Sequence, residues 1–203
     1  MSLTMHWQKV EFVQSVAQME QFPNQNLPCI GVAGHSNVGK SSLLNSLFQR
    51  KKMVKVAKAP GCTRLLNLFR VDERLLVTDL PGYGYARVAK SQRKQWANLV
   101  DQFFSSRTAM LILVLLDVRH GPKDSDLQLI EFLNEVGVRW IPIATKTDKL
   151  GTNQLAKRLK EMQEDLGGYL KPIPTSSHNK KGMDILRETI IHECFVKPYA
   201  EEL

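Results

Sequence analysis

The sequence predicts an α/β fold in three layers, a mostly parallel six-stranded sheet with one antiparallel strand and helices on both faces. Three observations carry this expectation. Short apolar, β-rich runs alternate with helix-period segments along nearly the whole chain. A glycine-rich loop sits at the first strand–helix junction. One connection between apolar runs, Asp72-Glu73-Arg74, is too short for a crossover helix and forces an antiparallel pair.

In order, the expected strands are Cys29–Ala33, Leu65–Val71, Leu75–Leu80, Met110–Asp117, Trp140–Thr145 and Pro172–Ser176. The helices are Ser41–Gln49, Ser91–Ser105, Asp124–Val136, Asn153–Leu166 and Met183–Phe195. Leu127, Ile130, Leu133 and Val136 share one helical face, as do Leu155, Leu159, Met162 and Leu166. Lys9–Val16 reads as an extra edge strand in an N-terminal extension over residues 1–24. A nucleotide-binding domain then covers 25–196, and a short polar tail 197–203.

A chain of 203 residues is long enough for one domain with a full core. No apolar stretch approaches the ~20 residues that span a bilayer; the longest, Ala109 to Leu116, has strand length. No charged region followed by an apolar block opens the N-terminus, so no secretory signal is expected. Cys29, Cys62 and Cys194 show neither metal spacing nor a disulfide framework, which points to a reducing cytoplasm. No membrane partner is expected. Lys and Arg number 28 against 20 Asp and Glu, a formal charge of +8. Cations cluster at Arg50-Lys51-Lys52, at Lys55 and Lys58, from Arg87 to Lys94 and at Lys180-Lys181. Such a surplus attracts polyanions, although solvated lysines scattered over a surface give the same count.

The motifs fall at the carboxyl ends of the expected strands, where a doubly wound sheet collects its ligand. Gly34-His35-Ser36-Asn37-Val38-Gly39-Lys40-Ser41 is a complete G-x-x-x-x-G-K-S phosphate loop, extended by Ser42. Its glycines let backbone amides curl round phosphate oxygens, and the following helix adds its positive end. Lys40 would reach the β- and γ-phosphates and Ser41 would ligate Mg²⁺. Asp79-Leu80-Pro81-Gly82 is a D-x-x-G pattern: Asp79 would hold Mg²⁺ through water, and the Gly82 amide would meet the γ-phosphate.

Thr145-Lys146-Thr147-Asp148 would read the nucleobase. The Asp148 carboxylate can accept both N1–H and the exocyclic amine of guanine, with the Lys146 stem packed on the ring. Adenine offers neither donor, so such a site rejects it by ~10⁴-fold or more. Thr63, within Gly61-Cys62-Thr63-Arg64, would bring a second hydroxyl to Mg²⁺. In Thr175-Ser176-Ser177 the Ser177 N–H would meet the guanine carbonyl, with Ser176 buttressing the loop. Together the motifs imply a three-layer P-loop GTPase fold that binds GTP and GDP. A nucleotide kinase would share the phosphate loop but has no use for T-K-x-D.

The residues Gly34 to Ser42, Pro60 to Arg64, Asn67-Leu68-Phe69, Asp79 to Ala86 and Asp117-Val118-Arg119-His120 resemble the EngB (YihA/YsxC) family of translation-factor-related GTPases. The resemblance spans about residues 10 to 195. It implies a Mg²⁺-dependent GTPase that assists assembly of the large ribosomal subunit and is needed for normal cell division and septation. Separately, a monomer is expected. His35 stands where the family usually has Arg, and Val38 where Ala is common; neither removes a phosphate or metal contact.

After D-x-x-G, Ras-like GTPases place a glutamine that orients the attacking water. Here the position is Tyr83, so slow intrinsic hydrolysis is expected, with Lys40 and Thr63 left to support the transition state. Asn37 has two readings. At the matching position in related GTPases an asparagine helps hold K⁺ beside the phosphates, and the residue also tolerates a tight loop. Tyr85, Arg87 and Lys90 are expected to contact rRNA in the GTP state; alternatively Tyr83 and Tyr85 pack on the neighbouring helix. A second function class, a GTPase switch on a protein of the division machinery without RNA contact, has no motif of its own.

Overall fold

The computed structural model describes residues 4–24, 26–54, 65–83, 90–106 and 111–197, with 90–97 as backbone only. Seven strands form one sheet: β1 (Val10–Val16), β2 (Cys29–Gly34), β3 (Leu66–Val71), β4 (Leu75–Asp79), β5 (Leu111–Asp117), β6 (Trp140–Thr145) and β7 (Ile173–Pro174). Their spatial order is β1-β3-β4-β2-β5-β6-β7. Strand β3 runs antiparallel to both its neighbours, and the remaining pairs are parallel. The five helices are α1 (Lys40–Leu47), α2 (Lys90–Ser105), α3 (Asp124–Glu135), α4 (Thr152–Asp165) and α5 (Met183–Ile191), the last continued by a π-helical turn to Val196.

The edge strand expected at Lys9–Val16 forms as β1, pairs with β3 with a bulge between Phe12 and Gln14, and brings the sheet from six strands to seven. Its burial is irregular along the strand, without a clean alternation. One expectation needs adjustment. The last strand is only two residues long: Thr175 and Ser176 leave the ladder to form the loop that meets β6.

Parallel strands covered on both faces are apolar throughout, and β5 shows why. Leu111, Leu113 and Leu115 enter the core under α1 and α5, together with Ile30, Val32, Leu44, Leu186 and Ile190. Ile112, Val114 and Leu116 point the other way, toward Phe103, Phe104, Leu133 and Met162 from α2, α3 and α4. Strand β2, between β4 and β5, is buried along its whole length and therefore holds the loop that follows it in the middle of the sheet edge.

The β3–β4 hairpin turns through Asp72 and Glu73, both left-handed (φ 49° and 56°), with the Arg74 N–H donating to the Val71 carbonyl at 3.0 Å. That geometry suits Asn-Gly better than Asp-Glu, because a side chain at positive φ costs about 1–2 kcal/mol. Asp72 is held by the His6 amide at 3.0 Å, whereas Glu73 is exposed. Glu73→Gly is expected to raise the unfolding free energy by about 1 kcal/mol in urea titrations; a decrease would contradict the turn assignment.

Candidate nucleotide site

Strand β2 ends at Gly34, and the chain passes through His35, Ser36, Asn37 and Val38 to Gly39 before α1 begins with Lys40, Ser41 and Ser42. Asn37 (φ 63°) and Gly39 (φ 107°) are left-handed, and the second of these conformations favours glycine. The result is an open run of donors. The amides of Asn37, Gly39, Lys40, Ser41 and Ser42 have no hydrogen-bond partner among the described residues. Helix starts always leave such groups, and here the loop before the helix extends the set into a cradle for a polyphosphate.

The loop is braced through its other backbone atoms. The Ser36 N–H donates to the Tyr83 carbonyl at 3.0 Å. The buried Thr145 hydroxyl donates to the Val38 carbonyl at 2.8 Å, and Lys146 Nζ donates to the Asn37 carbonyl at 2.6 Å. Asp79 closes β4 beside the loop, and Lys40 Nζ reaches its Oδ1 at 2.9 Å. Burial pushes the Asp79 carboxyl above its ordinary value, with the Lys40 charge opposing that rise. Leu80 and Pro81 are buried behind it. Gly82 lies against the loop so closely that a side-chain carbon there would stand 3.3 Å from Ser36 Cα.

Tyr83 then turns away from the site. Its hydroxyl donates to Asp126 Oδ1 on α3 at 2.7 Å, its ring meets His35 edge-on, and burial pushes its hydroxyl pKa up. Asp126 is itself buried and accepts the Lys123 N–H at 2.8 Å. A phenol fixed in this way is not available to orient water at the phosphates.

At the end of β6, Lys146 adopts a left-handed conformation (φ 61°), which swings its side chain over Gly39. Thr147 faces inward and donates both its hydroxyl and its N–H to the Thr175 carbonyl, at 3.0 and 3.2 Å. Thr175 in turn donates its N–H to Ala144 at 2.7 Å. Asp148 is held by the fully buried Ser176, whose hydroxyl donates to Oδ1 at 2.6 Å while accepting the His178 and Asn179 amides. That hydrogen bond, with Lys149 alongside, holds the Asp148 carboxyl below the usual range and keeps it an acceptor. The Ser177 N–H has no partner among the described residues.

One part of the expected site lies outside the described residues: Gly61, Cys62, Thr63 and Arg64, together with Tyr85 and Arg87 of the expected RNA-facing segment. Three residues to which the sequence assigned no role, Asp117, Arg119 and Asp126, join the site. Asp117 closes β5, accepts Lys146 Nζ at 2.9 Å and is gripped by Arg119; Asp126 anchors Tyr83. The available signal was positional, since Asp117 ends its strand as Asp79 and Thr145 end theirs.

Three comparisons bear on this arrangement. A family model described as 50S ribosome-binding GTPase matches residues 29–146. The probable GTP-binding protein EngB of Clostridium perfringens (strain SM101 / Type A) is 42% identical over 179 residues, covering 87% of this chain and 91% of the relative. That of Bacillus mycoides (strain KBAB4) is 41% identical over 159 residues, covering 78% and 80% respectively. Among solved structures, a probable EngB superposes with a TM-score of 0.65 at 22% identity over 83% of this chain and all of that one. Era in complex with MgGDPNP and nucleotides 1506–1542 of 16S ribosomal RNA gives 0.68 at 22%, over 87% of this chain and 59% of that one. At those identities the solved structures establish the fold alone, that of the P-loop GTPases. The sequence relatives establish more: with a phosphate loop, D-x-x-G and T-K-x-D gathered on one sheet edge, the chain belongs to the EngB family of GTP-binding proteins and is a GTPase.

Proposed function

We propose that this protein is a Mg²⁺-dependent GTP switch acting on large ribosomal subunit precursors through their rRNA, with normal cell division and septation depending on it. The observation that carries the reading is the match of residues 29–146 to the 50S ribosome-binding GTPase model. The formal charge of +8 supports a polyanionic partner.

In this reading the amides from Asn37 to Ser42 wrap the phosphates, and Lys40 exchanges Asp79 for phosphate oxygens. Asp148 and the Ser177 N–H read the guanine edge, and the Lys146 stem covers its face. The hydroxyl of Ser41 and the carboxylate of Asp79 are hard oxygen donors suited to Mg²⁺, with Thr63 as a further hydroxyl. Among the described residues no group of three or more His, Cys, Asp or Glu forms a metal cage. Mg²⁺ at phosphate sites needs none, since it takes one or two protein oxygens and completes its shell with phosphate and water. When bound, it neutralises charge on the β- and γ-oxygens. Because Tyr83 replaces glutamine and is tied to Asp126, intrinsic hydrolysis is slow and the GTP complex long-lived.

Co-sedimentation with large ribosomal subunits tests the reading. Binding is expected with a non-hydrolysable GTP analogue and not with GDP or without nucleotide. Binding in no condition would move the effector to a protein of the division machinery.

The Asn37 side chain has a second role in this reading, as a ligand for K⁺ beside the phosphates. Single-turnover hydrolysis should then run severalfold faster in K⁺ than in Na⁺ buffer. Equal rates would leave Asn37 serving only the left-handed turn it occupies.

A further inference from the structure

Lys146 touches two segments besides its own. Its ammonium group donates to the Asn37 carbonyl in the phosphate loop at 2.6 Å and to Asp117 Oδ2 at the end of β5 at 2.9 Å. Between these two anchors and the backbone at the end of β6 the stem is stretched over Gly39, where a side-chain carbon would stand 3.7 Å from Lys146 Cε. A lysine stem has four rotatable bonds and a strongly hydrated head, so left to itself it would not hold one position.

Asp117 is built to hold that head. Its Oδ1 accepts the Arg119 N–H at 3.1 Å and Arg119 Nε at 2.9 Å, and its Oδ2 accepts Arg119 Nη2 at 2.7 Å. The paired contact fixes the carboxylate plane, so Oδ2 faces Lys146 in one orientation. The side chain is 11% exposed, against 41% for Arg119, which places the lysine contact on the screened side and the arginine on the solvent side. Burial alone would raise the Asp117 carboxyl, but the Arg119 and Lys146 hydrogen bonds hold it well below the usual carboxylate range.

We propose that Asp117 is a positioning residue for nucleotide binding: it pins Lys146 across the phosphate loop and so makes the lysine stem a fixed floor for the nucleobase. The inference rests on the assignment of Lys146 and Asp148 to the base. Asp117 acts through Lys146 and touches no nucleotide. A floor of this kind stacks on any purine, whereas Asp148 reads the donors on its edge. The two roles therefore separate by base.

The test is competition for a fluorescent GDP analogue on the full chain, with GDP, inosine diphosphate and xanthosine diphosphate as competitors. Asp117→Ala is expected to weaken GDP and inosine diphosphate by the same factor, about tenfold. In a Lys146→Ala background the same change should cost less than about twofold, because its target is gone. Asp117→Asn keeps the shape of the side chain; should Asp117→Ala fail to fold, it carries the same cycle with the same non-additivity expected. Losses that multiply in the double variant, or a loss confined to GDP, would overturn the role of Asp117. Asp148→Asn checks the underlying base assignment separately and should shift preference toward xanthosine diphosphate. If it still prefers GDP, the base site falls and the inference falls with it.

Discussion

The structure depends on a loop that must keep its amides free while standing still. An anion cradle of unpaired N–H groups gains little if the loop has to be ordered each time a ligand arrives, because ordering each residue costs about 1–2 kcal/mol. Here the cost is met on folding. The carbonyls of Asn37 and Val38 are taken by Lys146 and Thr145, and the Ser36 amide by Tyr83. The braces come from the ends of β6 and β4, so the sheet itself sets the loop's shape. Among the described residues the amides from Gly39 to Ser42 and that of Asn37 have no hydrogen-bond partner.

Electrostatics follow the same plan. A cation in a half-buried cleft needs an anion, and each lysine of the site has one on a neighbouring strand end: Lys40 has Asp79, Lys146 has Asp117. These pairs are weak evidence for stability, since desolvation offsets much of their attraction. Their value is geometric. Each holds a flexible side chain where polyphosphate or base would meet it, and Ser176 does the same for Asp148. The hydroxyl of Tyr83 extends the network to Asp126, coupling the segment after D-x-x-G to the first turn of α3.

Much of this was legible in the sequence. The alternation of β-runs and helix-period segments produced the right order of elements, and the brevity of residues 72–74 identified the antiparallel strand. The phosphate loop and the base motifs could be placed because glycine, lysine and aspartate at fixed spacings have few other uses. What stayed hidden was long-range. Strand β1 could be read as an edge strand, but not its partner β3, which lies far along the chain. The shortness of β7 reflects the demand of Thr147 and Ala144 for hydrogen bonds from the 175–176 loop, which no local pattern encodes. Asp117 stood out only within a segment that carries the family resemblance, and Asp126 not at all; only the fold brings them to Lys146 and Tyr83.

The central claim is that one sheet edge holds both a phosphate cradle and a guanine reader, fixed before ligand arrives. Calorimetric titration of the full chain with GDP and with ADP, in the same Mg²⁺ buffer, tests it most directly. The account predicts that GDP binds at least ~10⁴-fold more tightly than ADP, because adenine leaves the Asp148 carboxylate unpaired. Comparable affinities for the two would show a phosphate site without a guanine reader and would contradict it.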